Sequence, residues 1–308
     1  MKYLKLVRYQ NLLLLAFMQL IFRYGFLKLQ NIYLSLADWQ YGLLVLSTML
    51  IAAAGYIIND IMDQETDNDN KPNKVIIGKS ISETIAYNLY VALNIMGVGI
   101  GFYLSNVIQK PSFAAIFILI AATLYLYATS LKQMLLVGNI IIALLLSVSV
   151  LIIGVFDLLP ATYEENQAIM SIMFKILIDY AVFAFILNFI REIVKDMEDV
   201  NGDYNHGMNT LPIALGISRT AKLTFGLLVI SVVLLLFYIN ANLMAYNLYF
   251  ATVYALILVI GPLCFCIVKM WSAKSKKDFK LISNVLKLVI FFGILSILII
   301  NLNIRYNA

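Results

Sequence analysis

The residues best suited to chemistry are two ladders of aspartate. Residues 56–74 read YIINDIMDQETDNDNKPNK and residues 196–203 read DMEDVNGD, so Asp60, Asp63 and Asp67 recur as Asp196, Asp199 and Asp203 at a constant offset of 136. Each ladder has the form D-x-x-D-x-x-x-D. On a helix, positions i, i+3 and i+7 share a face. Three carboxylates on one stripe repel each other unless cations sit between them. Two such stripes at one depth predict a cradle for magnesium, an ion usually held by one or two carboxylates together with the phosphate oxygens of a substrate. A diphosphate bridging two ion-loaded stripes would satisfy both ladders, with two or more Mg2+ ions shared between them. All six aspartates are therefore candidate catalytic and metal-binding residues, and Asn59 stands beside the first ladder to orient acid or ion. Asn188 occupies a comparable place before the second. Glu65, Asp69, Glu83 and Glu198 fall outside the repeated spacing and read as ordinary solvation of polar segments.

Other chemistries are poorly supplied. His206 is the only histidine in 308 residues, which nearly excludes histidine metal clusters and a Ser-His-Asp relay. Cys264 and Cys266 lie in an apolar run and read as packing, not as a disulfide framework or a metal site.

The elements that must carry the ladders are transmembrane. Hydrophobic residues make up 62% of the chain and charged residues 13%, outside the range of soluble domains. A span needs about 20 mostly apolar residues. Nine such segments are predicted, at 11–34, 40–60, 84–106, 112–130, 134–157, 170–195, 220–241, 244–268 and 282–304. Apolar runs recur along the whole length, so the first is read as a span and not as a removable leader. Without water to satisfy backbone groups, uniformly apolar runs of this length predict a helical bundle and not a barrel. The chain reads as a single polytopic domain over residues 1–308, with motif loops at 59–83 and 191–219.

Orientation follows from the basic residues. Sixteen of the 22 Lys and Arg fall in or beside the N-terminus and the segments 61–83, 131–133, 196–219 and 269–281. The positive-inside rule then places the N-terminus and both ladders in the cytosol and the C-terminus outside. Most of the net charge of +5 is this bias and predicts no nucleic-acid partner. The run KMWSAKSKKDFK reads as a solvated loop facing lipid headgroups. The 136-residue offset covers four spans and predicts a same-orientation internal duplication of a four-helix unit. Arg23 and Asp179 lie inside spans, where ionisable side chains usually mark function. Near the outer surface snorkelling costs less, and neither residue is given a role.

With NDIMDQETD and DMEDVNGD in view, the chain resembles the UbiA superfamily of intramembrane prenyltransferases, whose N-D-x-x-D-x-x-x-D and D-x-x-D-x-x-x-D motifs follow the second and sixth of nine helices. RYQNLLL is similar to the family's Arg-x-x-Asn opening, matched by Arg8 and Asn11. YATSLKQMLLVGN is similar to its Tyr…Lys loop, matched by Tyr127, Lys132 and Asn139. REIVKDMEDVNGDYNHGMNTLPIALG resembles the branch that makes digeranylgeranylglyceryl phosphate. There the first motif is usually followed by R-P-N-R-P, where this chain has KPNKVIIGKSIS, keeping the pattern with lysines and losing the second proline.

The resemblance implies magnesium-dependent transfer of a prenyl group, geranylgeranyl in that branch, from an allylic diphosphate to a lipid or aromatic acceptor within the membrane. It favours geranylgeranylglyceryl phosphate as acceptor, while relatives prenylate quinone precursors such as hydroxybenzoate, naphthoate and homogentisate, or tetrapyrroles. Charge building on the leaving diphosphate is what cations at the site would stabilise. Lys132, Arg191 and Lys195 are candidate diphosphate ligands, together with Tyr127, Arg8 and Asn11 from the matched motifs, and with Lys71 and Lys74 behind them. Segments 61–83 and 196–219 are expected to act as a lid that limits water, and Thr210-Leu211-Pro212 predicts a short cap helix there. The rival from another class, a cation transporter, predicts acids near the bilayer midplane, whereas these ladders stand at its rim. CDP-alcohol phosphotransferases, which also bind metal through aspartates, begin their motif with D-G-x-x-A-R, which is missing here.

Overall fold

The computed structural model describes residues 1–70, 72 and 75–307. Among the described residues nine helices are long and apolar enough to cross a membrane, and no strand forms beyond an isolated bridge between Ile77 and Ile81. The chain is thus an all-helical, multi-pass membrane protein. Helix α1 (Lys2–Leu6) precedes α2 (Tyr9–Leu20), α3 (Asp38–Met62), α4 (Gln64–Asn70), α5 (Glu83–Val107), α6 (Ala114–Thr129) and α7 (Val137–Asp157). Then come α8 (Gln167–Asn205), α9 (Leu211–Leu215), α10 (Ile217–Tyr238), α11 (Tyr249–Ala255), α12 (Gly261–Ser272) and α13 (Lys276–Asn307). Each predicted span has its helix, with ends moved by a few residues except at α8, which runs ten residues past the predicted 195. The cap helix expected after Thr210 is α9, with Pro212 in its first turn, where a missing N–H costs nothing.

Small residues set the helix spacing, as expected where lipid supplies no hydrophobic drive for association. A Cβ on Gly101 of α5 would lie 2.3 Å from the Phe117 ring on α6. Ser47 Oγ of α3 donates to the Gly97 carbonyl of α5 at 2.7 Å, closing another tight interface.

Helices α8 and α13 run antiparallel in one register. Tyr180 pairs with Ser296 at 2.6 Å, Arg191 Nε donates to the Ser283 carbonyl at 3.3 Å, and Lys276 lies 3.7 Å from Asp199. In contrast α2 and α13 run parallel, Lys287 meeting Asn11 near the motif-bearing end and Gln30 meeting Asn301 near the other. At 39 residues α8 is about 58 Å long, far more than the roughly 30 Å of hydrocarbon. Its C-terminal turns therefore project beyond the bilayer, carrying the second ladder.

Two expectations need correction here. The second ladder is not in a loop, because α8 continues unbroken to Asn205. The first ladder is not on one continuous helix either: α3 ends at Met62 and α4 begins at Gln64, with Asp63 between them at φ −99°, ψ 9°. Hydrogen bonding continues across this kink, from Asp63 N to the Asn59 carbonyl at 2.9 Å and from Asp67 N to the Asp63 carbonyl at 2.7 Å.

Arg23 does not snorkel. Its side chain is 1% exposed, lies 3.2 Å from Asp157, itself fully buried, and stacks on the Tyr41 ring with 4.3 Å between guanidinium carbon and centroid. Asp157 also accepts from Leu36 N at 2.9 Å, so the pair ties α7 to the turn before α3. Around Arg23 the first span loosens into a π-helical stretch, Ile21–Phe26. Such wide turns commonly adapt a helix to a side chain that must face inward. Asp179 lies on α8 within electrostatic reach of Lys175, one turn earlier.

Candidate active site

The site is built at the ends of α3 and α8, by helix α4 beyond the kink at Asp63, and by the short turn Leu131–Gln133 that follows α6. Asp63 is its centre. Asn59, one turn earlier on α3, donates from Nδ2 to Asp63 Oδ2 at 2.7 Å, and Lys132 forms an ion pair with Asp63 Oδ1. The Lys132 side chain is 8% exposed, so this ammonium is largely shielded from water. Arg8 reaches Asp60 at 2.7 Å while stacking on Tyr56, 4.9 Å from the ring centroid. Arg8 holds a left-handed backbone at φ 49° between α1 and α2, which turns its side chain toward α3.

The second ladder faces the same space. Asn139, at the start of α7, donates to Asp196 at 2.8 Å. Tyr127 stands within electrostatic reach of Glu192, Asp63, Asp196 and Arg8 and so marks the middle ground between the ladders. Farther out, α4 docks on the projecting end of α8. The Asn70 side chain accepts from Gly202 N at 3.0 Å and donates to Asp203 at 3.4 Å, while Asp69 lies 3.2 Å from His206. The loop after α8 closes onto the turn after α6 through Asn209 N, which donates to the Gln133 carbonyl at 3.0 Å. The described parts of both segments are thus tied to neighbouring elements beside the ladders, α4 to the end of α8 and the loop after α8 to the turn after α6.

Glycine is required at one point of this closure. A Cβ at position 202 would lie 2.3 Å from the Asn70 amide. We expect Gly202→Ala to undock α4 and lower turnover about tenfold, an effect on the scale of one lost buried hydrogen bond. Limited proteolysis should then cut within 64–83 sooner than in wild type.

Of the other predicted residues, Arg191 and Lys195 converge on Glu192, at 3.6 and 2.8 Å, and not on a ladder aspartate. Asn11 accepts from Lys287 at 2.8 Å, a turn and more below the ladders. Asn188 bonds the Ala184 carbonyl of its own helix at 2.8 Å. Lys71 and Lys74 lie outside the described residues. Three contributors escaped the sequence reading. Glu192 is the buried acid within REIVK, signalled by its spacing to two cations. Lys276 belongs to the run read as a solvated loop, yet it reaches Asp199 and the Asn70 carbonyl at 3.1 Å. Asn70 carries no sequence signal at all.

Among the described residues no three acidic, histidine or cysteine side chains crowd around one point. Ladder acids lean instead on cations and amides, which offset the repulsion that bare carboxylates would suffer. The donor set is all hard oxygen and fits magnesium in chemistry. Displacement of Arg8 and Lys132 by ions would turn those cations toward a bound anion.

The sequence pattern of the UbiA prenyltransferase family matches residues 25–295. A digeranylgeranylglyceryl phosphate synthase of Saccharolobus solfataricus is 31% identical over 300 residues, covering 96% of this chain and 95% of that one. Among solved structures, one described as a digeranylgeranylglyceryl phosphate synthase in membranes superposes with a TM-score of 0.63 at 24% identity, covering 97% of both chains. A UbiA homolog from Archaeoglobus fulgidus, bound to GPP and Mg2+, gives 0.59 at 19% identity, covering 96% of this chain and 99% of that one. These two likenesses concern the fold.

Proposed function

We infer that this chain, which belongs to the UbiA prenyltransferase family, transfers a geranylgeranyl group from its diphosphate to the glyceryl hydroxyl of geranylgeranylglyceryl phosphate. The observation that carries the acceptor is the full-length likeness to the Saccharolobus solfataricus synthase, at 31% identity. The motif-bearing end faces the cytosol in this reading, by the bias of its basic residues.

Asp60, Asp63 and Asp67 from one side, and Asp196, Asp199 and Asp203 from the other, would hold magnesium, with Asn59 keeping Asp63 oriented. Magnesium bound there supplies charge neutralisation for the departing diphosphate. The chain's own cations do related work. Lys132, Arg8, Arg191 and Lys195 surround the space between the ladders and favour the state in which the allylic C–O bond has broken and negative charge has passed to the leaving group. Tyr127 offers a hydroxyl to the same oxygens, and Asn11 lies against Lys287 a turn below them. The acceptor hydroxyl then attacks the allylic carbon, and its proton passes to the released diphosphate. Docked helix α4 and the loop ending in α9 limit water, which would otherwise capture the cation as a free alcohol.

The test is purified protein with magnesium, geranylgeranyl diphosphate and a panel of acceptors, with products identified by mass spectrometry. Prenylation of geranylgeranylglyceryl phosphate at a kcat/KM at least about tenfold above any aromatic acceptor is the expected result; a factor of ten is about 1.4 kcal/mol of discrimination. Preference for a hydroxybenzoate, naphthoate or tetrapyrrole would overturn the acceptor assignment while leaving the transferase intact.

A further inference from the structure

A groove of about 710 Å³ opens between α2 and α13. Its walls are helical stripes. Gln10 and Phe17 are seven residues apart on α2, and Asn284, Lys287, Leu288 and Phe291 follow an i, i+3, i+4, i+7 pattern on α13. The two helices are parallel, so the groove has polar and apolar ends. Gln10, Asn284 and Lys287 stand toward the motif-bearing end, and Phe17, Leu288 and Phe291 lie deeper. An amphiphile with an anionic head and a prenyl tail has this same order of chemistry.

Charge at the polar end is unbalanced. Arg8 is matched by Asp60, while Arg191 and Lys195 share the single acid Glu192. Lys287 lies within electrostatic reach of both Arg191 and Lys195, and its one hydrogen-bond partner among the described residues is the Asn11 amide oxygen. Arg191 is tied to the Ser283 carbonyl, one turn from Lys287 on α13, which holds the cations side by side. A lysine that merely snorkelled would turn outward to the headgroups. This one is half-buried against like charges, an arrangement that an arriving anion relieves. Lys132 and Arg8 stand on ladder carboxylates, whereas Lys287 bonds Asn11 and lines the groove.

Resting on the acceptor reading given above, we propose that Lys287, flanked by Asn284 and Gln10, binds the phosphate monoester of the lipid acceptor and so selects phosphorylated glyceryl lipids over uncharged acceptors. Lys287 is thereby a specificity residue whose anion is distinct from the donor diphosphate.

The experiment compares wild type, Lys287→Gln and Lys287→Arg in nanodiscs of neutral lipid, with geranylgeranylglyceryl phosphate and geranylgeranylglycerol as alternative acceptors. Loss of one charge-assisted contact should raise the KM for the phosphorylated acceptor about tenfold or more in Lys287→Gln. The KM for the donor and turnover of the unphosphorylated acceptor should hold, and Lys287→Arg should restore most of the difference. An unchanged KM for the phosphorylated acceptor in Lys287→Gln, or an equal rise in the KM for the donor, would overturn the proposal. So would an effect that vanishes once phosphatidylglycerol replaces the neutral lipid, since Lys287 would then be reading bulk headgroups. Failure of the acceptor reading itself looks different: wild type would then prenylate neither glyceryl lipid while accepting an aromatic hydroxyl.

Discussion

Asp63→Ala lowers kcat for prenyl transfer by about 10³-fold or more, the scale on which preorganised electrostatic groups act. Asp63 is singled out because two side chains are organised on it. Asn59 donates to one oxygen and Lys132 pairs with the other, so its removal frees a ligand, its orienting amide and a shielded cation together. Asp63→Asn retains the shape and loses the charge, and it should fall nearly as far if charge neutralisation is what the residue serves. A structural role predicts otherwise, with Asp63→Asn close to wild type. Magnesium titration of the residual activity separates these outcomes. Higher magnesium should recover part of the rate in Asp63→Asn, and full magnesium-dependent turnover in Asp63→Ala would reject the metal assignment. The Lys132 side chain, only 8% exposed, also loses its counter-ion in both variants. A modest fall in thermal midpoint, reflecting about 1–3 kcal/mol, accompanies the kinetic loss.

The largest effect on stability is expected at the opposite end of the bundle. Removing Arg23 leaves the Asp157 carboxylate buried without its counter-ion, and removing Asp157 leaves Arg23 with only the more distant Asp38 at 3.4 Å, at a cost of about 3–5 kcal/mol. Arg23 is 1% exposed and Asp157 fully buried, so neither can turn to water without unfolding its surroundings. Asp157→Ala should be the worse variant, because it also leaves Leu36 N without its acceptor and releases the turn before α3. The measurement is the thermal midpoint in a fixed detergent, with folded yield beside it. Replacing both partners at once, as Arg23→Met with Asp157→Leu, should regain most of the loss, since apolar groups of similar volume leave no unmatched charge. Single and double variants of equal stability would show the pair to be dispensable. Molecules that do fold should retain their KM for the donor, because the pair sits at the far end of the spans from the ladders.

Much of this was legible in the sequence for identifiable reasons. Spans were readable because hydrocarbon forces long, uniformly apolar helices, and nine such runs gave nine helices among the described residues. The aspartate ladders were readable because repetition at one offset is improbable in solvated loops. The short helix α9 announced itself through a proline in its first turn. Resemblance of the motifs to the UbiA superfamily led directly to the family the chain belongs to.

What stayed hidden depends on partners distant in the chain. Lys132 could be flagged as a cation, but only packing of α6 beside α3 directs it to Asp63, 69 residues away. Asn70 looks like one more polar residue in an acidic stretch until α4 folds onto Gly202 and Asp203. Lys276 reads as a topology signal until the antiparallel register of α8 and α13 brings it to Asp199. Arg23 and Asp157 are 134 positions apart, and neither predicts the other. Composition and periodicity are set by the solvent each residue meets, so the sequence by itself determined a membrane bundle, its helices and its repeated acids. Which acid faces which cation is set by helix register and tilt, quantities summed over many small packing contacts, and only the tertiary structure decided them.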